Sequence, residues 1–566
     1  MSIESSYERW LLSPRVDQTS KDELRKMSVE EKNDAFFKDV EFGTAGMRGL
    51  LGPGTNRMNV FTVRKATIGF AKYVIEKYPD ARLRGVAISH DNRHMSRAFT
   101  LDIARTLNLF GIKAYIFDSL RPTPELSFAV RHLNAVGGII ITASHNPKEY
   151  NGYKVYDENG CQLVPYRIDR LVEIIASLKN ELEVEVEHYR PYGKTITLGK
   201  EIDDEYIRLV EAIQINPQLD KKGFKIVFTP QHGTSYMPAM RIFKDTGYEV
   251  YPVLSQCDPD PDFSGTLSPN PEDKRAYIEP IKLAEKIGGN LIVMNDPDAD
   301  RVGVAYLSSK GTYELFTGNE SGALLIDYVL GQRKAKGLLS KNGILYNTIV
   351  TSSLGTAIAQ SYGVKVQSLL TGFKFIGDQI ALNEKIGGPH FEFGYEESYG
   401  CLIAPFCRDK DGLQAILLYC EMALFHFRHG KTLDQVMEEL QQKFGYHYDC
   451  QFSIEFKGPE GAQLMSQLMV ALREKPLDEI LGRKVVRRED YLQSLAYENG
   501  KTEAIHLPKS DVMKIFLDDE TTIAVRPSGT EPKCKFYYGA VGTDRTATKE
   551  KPAALHAALC QIYHLK

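Results

Sequence analysis

The chain has 566 residues, a length that predicts about four domains, or two to three large ones, each with an ordinary hydrophobic core. Its 70 Lys and Arg residues nearly balance 74 Asp and Glu residues, so no global field of charge draws the chain to nucleic acid or to a membrane surface. There is no run of 18 apolar residues and no signal-peptide pattern, so we expect a cytoplasmic protein without membrane spans. The eight cysteines include no Cys-x-x-Cys pair, and we expect reduced thiols rather than a zinc site.

Apolar runs typical of buried parallel strands alternate with helical patterns through most of the chain. These runs predict strands at 86–89, 114–117, 139–142, 225–228, 250–253, 291–294, 344–346 and 364–366. After the first run, Ser96 has the position of the N-cap of a helix that ends at Gly111. The alternation favours α/β layers with parallel strands.

The last part of the chain has a different pattern, because its apolar runs lie too close together for crossover helices. They predict antiparallel strands at 515–517, 522–525 and 535–538, followed by a helix at 553–563. We therefore predict four domains, three of the α/β type and a C-terminal one of the α+β type, at residues 1–200, 201–314, 315–445 and 446–566.

The segment TASHNP, residues 142–147, directly follows a predicted strand. Ligands gather at the carboxyl ends of strands in open α/β sheets, so Ser144 lies where a reactive hydroxyl would be expected. An ordinary turn rich in Ser, Asn and Pro is an equally good interpretation of these six residues alone. The segment is not the Gly-x-Ser-x-Gly motif of a hydrolase, which argues against an acyl-transfer serine.

The segment NDPDADR, residues 295–301, also follows an apolar strand. Its carboxylates at every second position, Asp296, Asp298 and Asp300, can converge on one hard cation if the loop curls. A solvated acidic loop is the alternative. An EF-hand is excluded because its sixth position would be Arg301 instead of glycine. A phosphatase of the haloacid dehalogenase type also has an Asp-x-Asp pair after a strand, but that interpretation leaves Ser144 unexplained.

Two further segments suit a sugar phosphate. In GYEESYG, residues 394–400, carboxylates and a hydroxyl lie between glycines and match the adjacent hydroxyls of a sugar. In RPSGTEP, residues 526–532, a guanidinium, two hydroxyls and glycine-exposed amides form a possible phosphate cradle. Surface turns are the alternative for both, and the same choice applies to the loops at 371–374 and 408–412.

Taken together, these segments resemble the α-D-phosphohexomutase superfamily over essentially the whole chain, in the same order and at the usual separations. The segment GTAGMRG, residues 43–49, resembles the N-terminal active-site loop of that superfamily. The resemblance is greatest to the long phosphoglucomutase/phosphopentomutase-like branch. It implies three similar α/β domains and a C-terminal α+β domain around a central cleft.

The resemblance also implies roles for individual residues. Ser144 would carry a phosphoryl group, and Asp296, Asp298 and Asp300 would hold Mg²⁺ together with a phosphoserine oxygen. Lys154 would manage the proton of the reacting hydroxyl, with His145 and Arg48 as further candidates for the catalytic group. The implied substrate contacts are Glu396, Ser398, Thr371, Lys410, Arg301, Arg526, Ser528, Gly529 and Thr530.

The activity implied by the resemblance is an intramolecular phosphotransfer that interconverts glucose 1-phosphate and glucose 6-phosphate, with bound glucose 1,6-bisphosphate as intermediate and activator. Pentose or mannose phosphates as substrates, synthesis of glucose 1,6-bisphosphate and a catalytically silent phosphosugar-binding protein are the alternatives. Tyr395 stands where glycine is common in the superfamily, which could narrow the sugar pocket. We expect a monomer or homodimer that acts on a small phosphosugar, without nucleic acid or membrane partners.

Overall fold

The computed structural model describes residues 2–43, 46–184, 188–456, 458–528 and 533–565. The chain forms two compact units, and each unit is built from two separate stretches of sequence. The first unit comprises Met1–Gly318 and Phe373–Gly430, and the second comprises Asn319–Gly372 and Lys431–Lys566.

Three short helices open the first unit, a layer that the sequence patterns did not predict. Each begins at a side chain that accepts a hydrogen bond from its first turn, and they span α1 Ile3–Leu12, α2 Gln18–Lys26 and α3 Val29–Phe36. Trp10 packs edge-on against Phe36 and Phe61, and its indole nitrogen donates to Glu181 at 2.6 Å. The layer is therefore fixed to the domain that follows it.

A six-stranded sheet forms the core of the following domain. Its strands are β1 Met47–Leu50, β2 Val86–His90, β3 Ala114–Phe117, β4 Gly137–Ile141, β5 Tyr150–Tyr156 and β6 Thr195–Leu198. Their order is β1-β5-β4-β2-β3-β6, with parallel pairing from β4 through β2 and β3 to β6 and antiparallel pairing of β1 and β4 with β5. The helices of this part are α4 Val60–Lys77, α5 Ala81–Arg84, α6 Ser96–Leu109, α7 Thr123–His132 and α8 Pro165–Ser177.

The structure confirms the predicted strands in this sheet but not the predicted N-cap of α6. Met95, with φ of 66°, occupies the cap position, and Ser96 is the first helical residue. The Ser96 hydroxyl donates to the Asp91 carboxylate at 2.8 Å instead of capping the helix. A serine next to the start of a helical pattern does not by itself distinguish the cap from the first turn.

A five-stranded sheet follows in the first unit. Its strands are β7 Lys225–Thr229, β8 Glu249–Pro252, β9 Leu291–Asn295, β10 Val302–Leu307 and β11 Tyr313–Leu315. The order is β11-β10-β9-β7-β8, with parallel pairing among β9, β7 and β8 and antiparallel pairing of β10 with both of its neighbours. The helices here are α9 Lys200–Glu211, α10 Tyr236–Thr246 and α11 Ile278–Ile287, with 3₁₀ turns at Leu254–Gln256 and Lys274–Tyr277.

The chain then passes through the second unit and returns to the first. The passage through the second unit contains α12 Gly318–Ala335, β12 Gly343–Thr348, α13 Ser353–Ser361 and β13 Lys365–Leu369, and its two strands pair in parallel. The return to the first unit contains α14 Phe373–Ile386, the antiparallel pair β14 His390–Glu396 and β15 Gly400–Leu402, and α15 Gly412–Arg428. The buried helix α15 packs on β9 and β10.

The C-terminal part of the second unit is an antiparallel sheet of eight strands flanked by helices, which confirms the predicted antiparallel pattern. The elements are α16 Leu433–Phe444, β16 Tyr446–Glu455, α17 Gly458–Glu474, β17 Glu479–Ile480, β18 Arg483–Asp490, β19 Leu495–Glu498, β20 Lys501–Ala504, β21 Met513–Leu517, β22 Thr522–Pro527, β23 Lys533–Gly542 and α18 Arg545–Ile562. The last helix begins well before the predicted residue 553, because Pro552 lies inside the helix instead of at its boundary.

Within the described ranges, no helix combines the length and the apolar composition that crossing a membrane requires. The domain boundaries after residues 200, 314 and 445 stay predictions.

Candidate active site

The serine loop, residues 142–150, joins β4 to β5 in the first unit and includes Tyr150, the first residue of β5. The preceding residues of β4, Ile139 to Ile141, are fully buried, which fixes the point where the loop leaves the sheet. Ser144 has φ of 53°, in the left-handed region, and its backbone N–H donates to the hydroxyl of Thr142 at 2.9 Å. The loop therefore presents the Ser144 side chain from a tight, strained turn.

The Ser144 hydroxyl lies against the aspartate loop, residues 296–301, which connects β9 to β10. Its Oγ donates to Asp296 Oδ2 at 2.7 Å and lies 3.1 Å from Nδ1 of His145. Burial, together with the guanidinium groups of Arg301 and Arg48, holds the pKa of His145 well below its usual range. The imidazole next to the serine is therefore neutral.

The three predicted aspartates converge. Each of Asp296, Asp298 and Asp300 is buried, and one ligand oxygen from each lies within 4.8 Å of the others. Burial, followed by repulsion from Asp298 and Asp300, raises the pKa of Asp296 well above its usual range. Burial also raises the pKa of Asp298, but the ammonium of Lys154 has the larger effect and lowers the pKa of that carboxyl group below its usual value.

The donor set of the aspartate loop fits Mg²⁺. The Oδ1 atoms of Asp298 and Asp300 are buried and have no hydrogen-bond partner, which is costly unless something else satisfies them. Carboxylate oxygens are the ligands that this hard cation prefers, and the Ser144 hydroxyl lies at the same place. The residues that would hold the ion are thus Asp296, Asp298, Asp300 and Ser144.

Two lysines supply positive charge to the same cluster. Lys154, on β5, places its Nζ 2.9 Å from Asp298 Oδ2 and 3.7 Å from Asp300 Oδ2. Lys410, just before α15, places its Nζ 3.1 Å from Asp300 Oδ2 and 4.0 Å from Glu396 Oε1. Burial disfavours both cations, but the neighbouring carboxylates raise the pKa of each lysine above its usual value. Both ammonium groups therefore remain charged.

The predicted sugar-binding residues lie at the turn after β14. Glu396 is buried, and burial raises its pKa to about 7 although Lys410 acts in the opposite direction. Ser398 lies two residues further on and is half-buried. Tyr395 is 1% exposed. It is the neighbour of Glu396 on β14, and neighbouring side chains of a strand point to opposite faces of the sheet. The tyrosine is thus a core residue, and the expectation that it narrows the sugar pocket is not supported.

Two predicted arginines complete the part of the site in the first unit. Arg48, on β1, donates from Nη1 to the side-chain oxygen of Asn146 in the serine loop at 3.1 Å. Arg301 donates from its backbone N–H to Asp296 Oδ1 at 2.9 Å and from Nη1 to Glu272 at 2.8 Å. Arg301 thus belongs to the aspartate loop, and Arg48 contacts the serine loop from β1.

The remaining predicted residues belong to the second unit. Arg526, on β22, donates from Nη1 to the Thr371 hydroxyl, so the structure brings these two together. The backbone N–H of Ser528 donates to the carbonyl of Lys533 at 2.8 Å. Gly529 and Thr530 lie outside the described residues.

Several residues of the site were not predicted from the sequence. Thr123, at the start of α7, donates from its hydroxyl to Asp298 Oδ2 at 3.0 Å. Tyr156 donates to Asp409 Oδ2 at 2.7 Å, and Lys410 donates to the other oxygen of that carboxylate at 3.1 Å. The partners of Thr123 and of Tyr156 are far from them in the sequence, so no local spacing could have identified these two contacts.

Comparison with known proteins assigns the chain to a family. Four family models match it in order: the phosphoglucomutase/phosphomannomutase alpha/beta/alpha domains I, II and III, and the C-terminal domain of the same family. They match residues 39–182, 204–308, 317–444 and 470–556. The matches confirm the predicted fold class of three α/β domains and a distinct C-terminal domain.

Curated relatives and solved structures agree with the family models. A phosphoglucomutase of Staphylococcus aureus (strain bovine RF122 / ET3-1) is 37% identical over 517 residues, which cover 90% of each chain. One of Staphylococcus epidermidis (strain ATCC 12228 / FDA PCI 1200) is 38% identical over 523 residues, covering 91% of this chain and 93% of the relative.

Two solved structures share the fold at lower identity. The open form of pp63/parafusin, a phosphoglucomutase from Paramecium, has a TM-score of 0.67 at 20% identity and covers 93% of this chain and 95% of its own. A phosphoglucomutase/phosphomannomutase family protein from Burkholderia thailandensis has a TM-score of 0.65 at 17% identity, with 92% and 97% covered. The four family models and the two staphylococcal relatives together establish that this chain belongs to the phosphoglucomutase/phosphomannomutase family.

Proposed function

We propose that this chain is a phosphoglucomutase that interconverts α-D-glucose 1-phosphate and glucose 6-phosphate through phosphorylated Ser144. The observation that carries the proposal is the 2.7 Å hydrogen bond from Ser144 Oγ to Asp296 Oδ2, which places a hydroxyl against three convergent carboxylates. The curated relatives that are 37% and 38% identical over most of the chain carry the name phosphoglucomutase, which supports glucose as the sugar.

The proposed reaction is two phosphoryl transfers with an exchange of position between them. In the first, the bond between phosphorus and Ser144 Oγ breaks, a bond from phosphorus to the free sugar hydroxyl forms, and the proton of that hydroxyl is given up while the serine oxygen regains one. The product is bound glucose 1,6-bisphosphate. In the second, the other phosphate of the reoriented bisphosphate returns to Ser144 by the same steps in reverse.

Three groups of the chain would handle charge and protons during each transfer. Lys154 would give its Nζ proton to the serine oxygen as that oxygen leaves phosphorus and would take up the proton of the sugar hydroxyl, so it is an ammonium before and after the transfer. The neutral imidazole of His145, whose Nδ1 lies 3.1 Å from Oγ, would accept a hydrogen bond from the serine hydroxyl that forms. Lys410 would remain an ammonium and offset negative charge near the transferring group. Bound Mg²⁺ would neutralise phosphoryl charge, a Lewis-acid contribution that positioned cations make in such transfers.

The remaining residues would bind the sugar and its phosphates. Glu396 and Ser398 offer acceptors and a hydroxyl to adjacent sugar hydroxyls. Arg526, with Thr371 and Ser528 in the same unit, offers a guanidinium and hydroxyls to the phosphate that does not react. Arg48 and Arg301 would contribute charge from the first unit, and Gly529 and Thr530 belong to the same predicted loop as Ser528.

The proposal includes a small-molecule activator and a location. Glucose 1,6-bisphosphate would phosphorylate Ser144 at the start of a reaction cycle. All eight cysteines are free, and six of them are buried, which fits a reducing compartment such as the cytoplasm. A monomeric or homodimeric state stays a prediction.

A coupled assay on purified protein tests the proposal. Formation of glucose 6-phosphate from glucose 1-phosphate would be followed with Mg²⁺ and catalytic glucose 1,6-bisphosphate, beside parallel assays with mannose 1-phosphate and ribose 1-phosphate. A clear preference for the glucose substrate supports the proposal. Preference for another sugar phosphate would reassign the substrate, and no turnover on any of them would contradict the mutase function.

Replacement of the serine hydroxyl tests the central role of Ser144. Because the variant Ser144→Ala has no oxygen to phosphorylate, we expect its turnover to fall below about 1% of wild type. Incubation with bisphosphate labelled in its phosphates should label the wild type but not the variant. Ser127→Ala removes another buried hydroxyl, one that donates to the Gly160 carbonyl, and should still be labelled. Labelling of Ser144→Ala to the wild-type extent would show that another residue carries the phosphoryl group.

A further inference from the structure

We infer that Arg93 is a positioning residue for phosphoryl transfer, which holds the serine loop in the conformation that aims Ser144 at the aspartate loop. The inference rests on the proposed function, because it concerns the rate at which Ser144 receives and gives up a phosphoryl group. Arg93 lies in the turn that follows β2, at the same edge of the sheet as the serine loop after β4.

The guanidinium of Arg93 binds the serine loop by its backbone at four points. Nη2 donates to the carbonyl oxygens of Ser144 at 2.6 Å and Asn146 at 2.5 Å. Nη1 donates to the carbonyl oxygens of Pro147 at 2.8 Å and Tyr150 at 3.0 Å. One side chain thus donates hydrogen bonds to four carbonyl groups of the loop that carries the serine.

The guanidinium is itself held in place by its surroundings. The Arg93 side chain has no exposed surface, and its Nε lies 3.3 Å from Asp91 Oδ2. The other oxygen of Asp91 accepts from the Arg93 backbone N–H at 3.0 Å and from the Ser96 hydroxyl at 2.8 Å. The ring of Phe263 lies 5.1 Å from the guanidinium carbon, close enough for a cation–π contact.

The hydrogen bonds from Arg93 are made where the backbone of the serine loop is strained. Ser144 has φ of 53°, and a residue with a Cβ persists in that region only when its surroundings determine the conformation. The bond from Arg93 to the Ser144 carbonyl fixes the peptide that follows the strained angle, and so fixes the direction of the side chain. Phosphoryl transfer depends mainly on alignment, so a small rotation of this turn should slow the reaction.

Further hydrogen bonds also support the serine loop. Arg48 donates to the Asn146 side chain at 3.1 Å, and Thr142 accepts from the Ser144 N–H at 2.9 Å. A lysine at position 93 would keep a positive charge, but its one ammonium cannot reproduce a planar fork that reaches four carbonyl groups. The variant Arg93→Lys therefore separates the geometric contribution of the guanidinium from its charge.

The matched control is Arg84→Lys. Arg84 also donates to backbone carbonyl groups, those of Asn134 at 2.8 Å and Ala135 at 3.2 Å. It precedes β2, so it lies at the amino end of the strand, away from the serine loop. Both variants replace a guanidinium that binds the backbone, and only Arg93→Lys alters the loop that carries Ser144.

The experiment measures three quantities for wild type and both variants: the single-turnover rate of phosphoryl transfer from glucose 1,6-bisphosphate to Ser144, KM for glucose 1-phosphate, and the thermal midpoint. We expect Arg93→Lys to slow the transfer about 100-fold, the scale of a loss of alignment, while KM changes less than about threefold. Arg84→Lys should change the transfer rate less than about threefold.

A transfer rate of Arg93→Lys that stays within about threefold of wild type, or that falls no further than that of Arg84→Lys, would overturn the inference. A rise in KM that accounts for the whole loss would also overturn it, because the defect would then be one of binding. A wild type without phosphoryl transfer would refute the proposed function instead.

If Arg93→Lys does not fold, the variant Phe263→Leu tests the inference in its place. Removal of the cation–π contact should slow the transfer to Ser144 about fivefold, and an unchanged rate would overturn the inference.

Discussion

Glu396 is the residue whose environment predicts a measurable dependence on pH. Burial and the neighbouring Glu397 and Asp300 raise its pKa, Lys410 and Arg301 lower it, and the balance is about 7. Above that pH both carboxylate oxygens can accept hydrogen bonds from the hydroxyls of the proposed sugar substrate, and below it one of them carries a proton. We therefore expect kcat/KM to fall as the pH decreases through about 7.

The variant Glu396→Gln separates this titration from that of the substrate. A sugar phosphate has its own ionisation at about pH 6, which also lowers kcat/KM at acid pH. The variant keeps that ionisation but has no carboxyl group, so its acid limb should move down to about pH 6 and its maximal kcat/KM should be lower than that of wild type. An unchanged midpoint in a profile of kcat/KM against pH would contradict the role given to Glu396.

The residues that could be predicted are those in contiguous segments directly after buried strands. Ser144 follows β4 and Asp296 follows β9, so the rule that ligands bind at the carboxyl ends of strands applies to both. Arg93 follows β2 in the same way, and the same rule could have found it. Thr123 could not have been found, because its role arises from a tertiary contact with a residue remote in the sequence. Asp409 lies in the charged loop at 408–412 that the sequence indicated, but its contact with Tyr156 could not have been predicted.

At the scale of the element, α15 is the helix whose first residue contacts the aspartate loop. Its first residue, Gly412, donates from its backbone N–H to the Ala299 carbonyl at 3.0 Å. A Cβ at that position would lie 2.4 Å from Asn295 Nδ2 and 2.5 Å from the Ala299 carbonyl oxygen, too close for either contact. The glycine thus permits a close approach of the helix to the loop.

We expect Gly412→Ala to push α15 and the aspartate loop apart. The free energy of unfolding should fall by about 1–3 kcal/mol, the usual cost of overpacking, and the affinity for Mg²⁺ should fall as the carboxylates separate. Urea unfolding and calorimetric Mg²⁺ titration measure the two effects.

The control lies at the other end of the same helix. A Cβ at Gly430 would meet nothing within 4 Å, although φ there is 71°. Gly430→Ala should therefore cost about 1 kcal/mol from backbone strain alone, without a change in Mg²⁺ affinity. Equal Mg²⁺ affinities for Gly412→Ala and wild type would show that α15 does not set the geometry of the aspartate loop.

The elements themselves were predictable to different degrees. Strands such as β2 and β9 are fully buried apolar runs, and their patterns identified them directly. The helices α1 to α3 were missed because none is longer than ten residues and only a few of their residues are buried, Trp10 and Leu24 among them, so each offers only a short apolar pattern. The division into two units was also not predictable, because it depends on which remote stretches pack together.

At the scale of the whole molecule, positive and negative charges nearly balance, whereas negative charge is concentrated at the aspartate loop. The net charge of −4 is small for 566 residues, yet three buried aspartates lie together in the first unit. Lys154 and Lys410 offset part of that charge, but two buried carboxylate oxygens remain without a hydrogen-bond partner. A divalent cation bound there would stabilise the folded chain over the unfolded chain, which cannot assemble the ligands.

We therefore expect Mg²⁺ to raise the free energy of unfolding in proportion to its binding, by about 2.7 kcal/mol at a free concentration of 100 times Kd. All three aspartates lie in the first unit, so the increment should appear in the unfolding transition of that unit. Asp298→Asn should abolish the increment, because it removes a charged ligand. Asp102→Asn should keep it, because Asp102 pairs with Arg64 instead. Urea unfolding with Mg²⁺ and with chelator measures the effect, and an equal increment in wild type and Asp298→Asn would place the ion elsewhere.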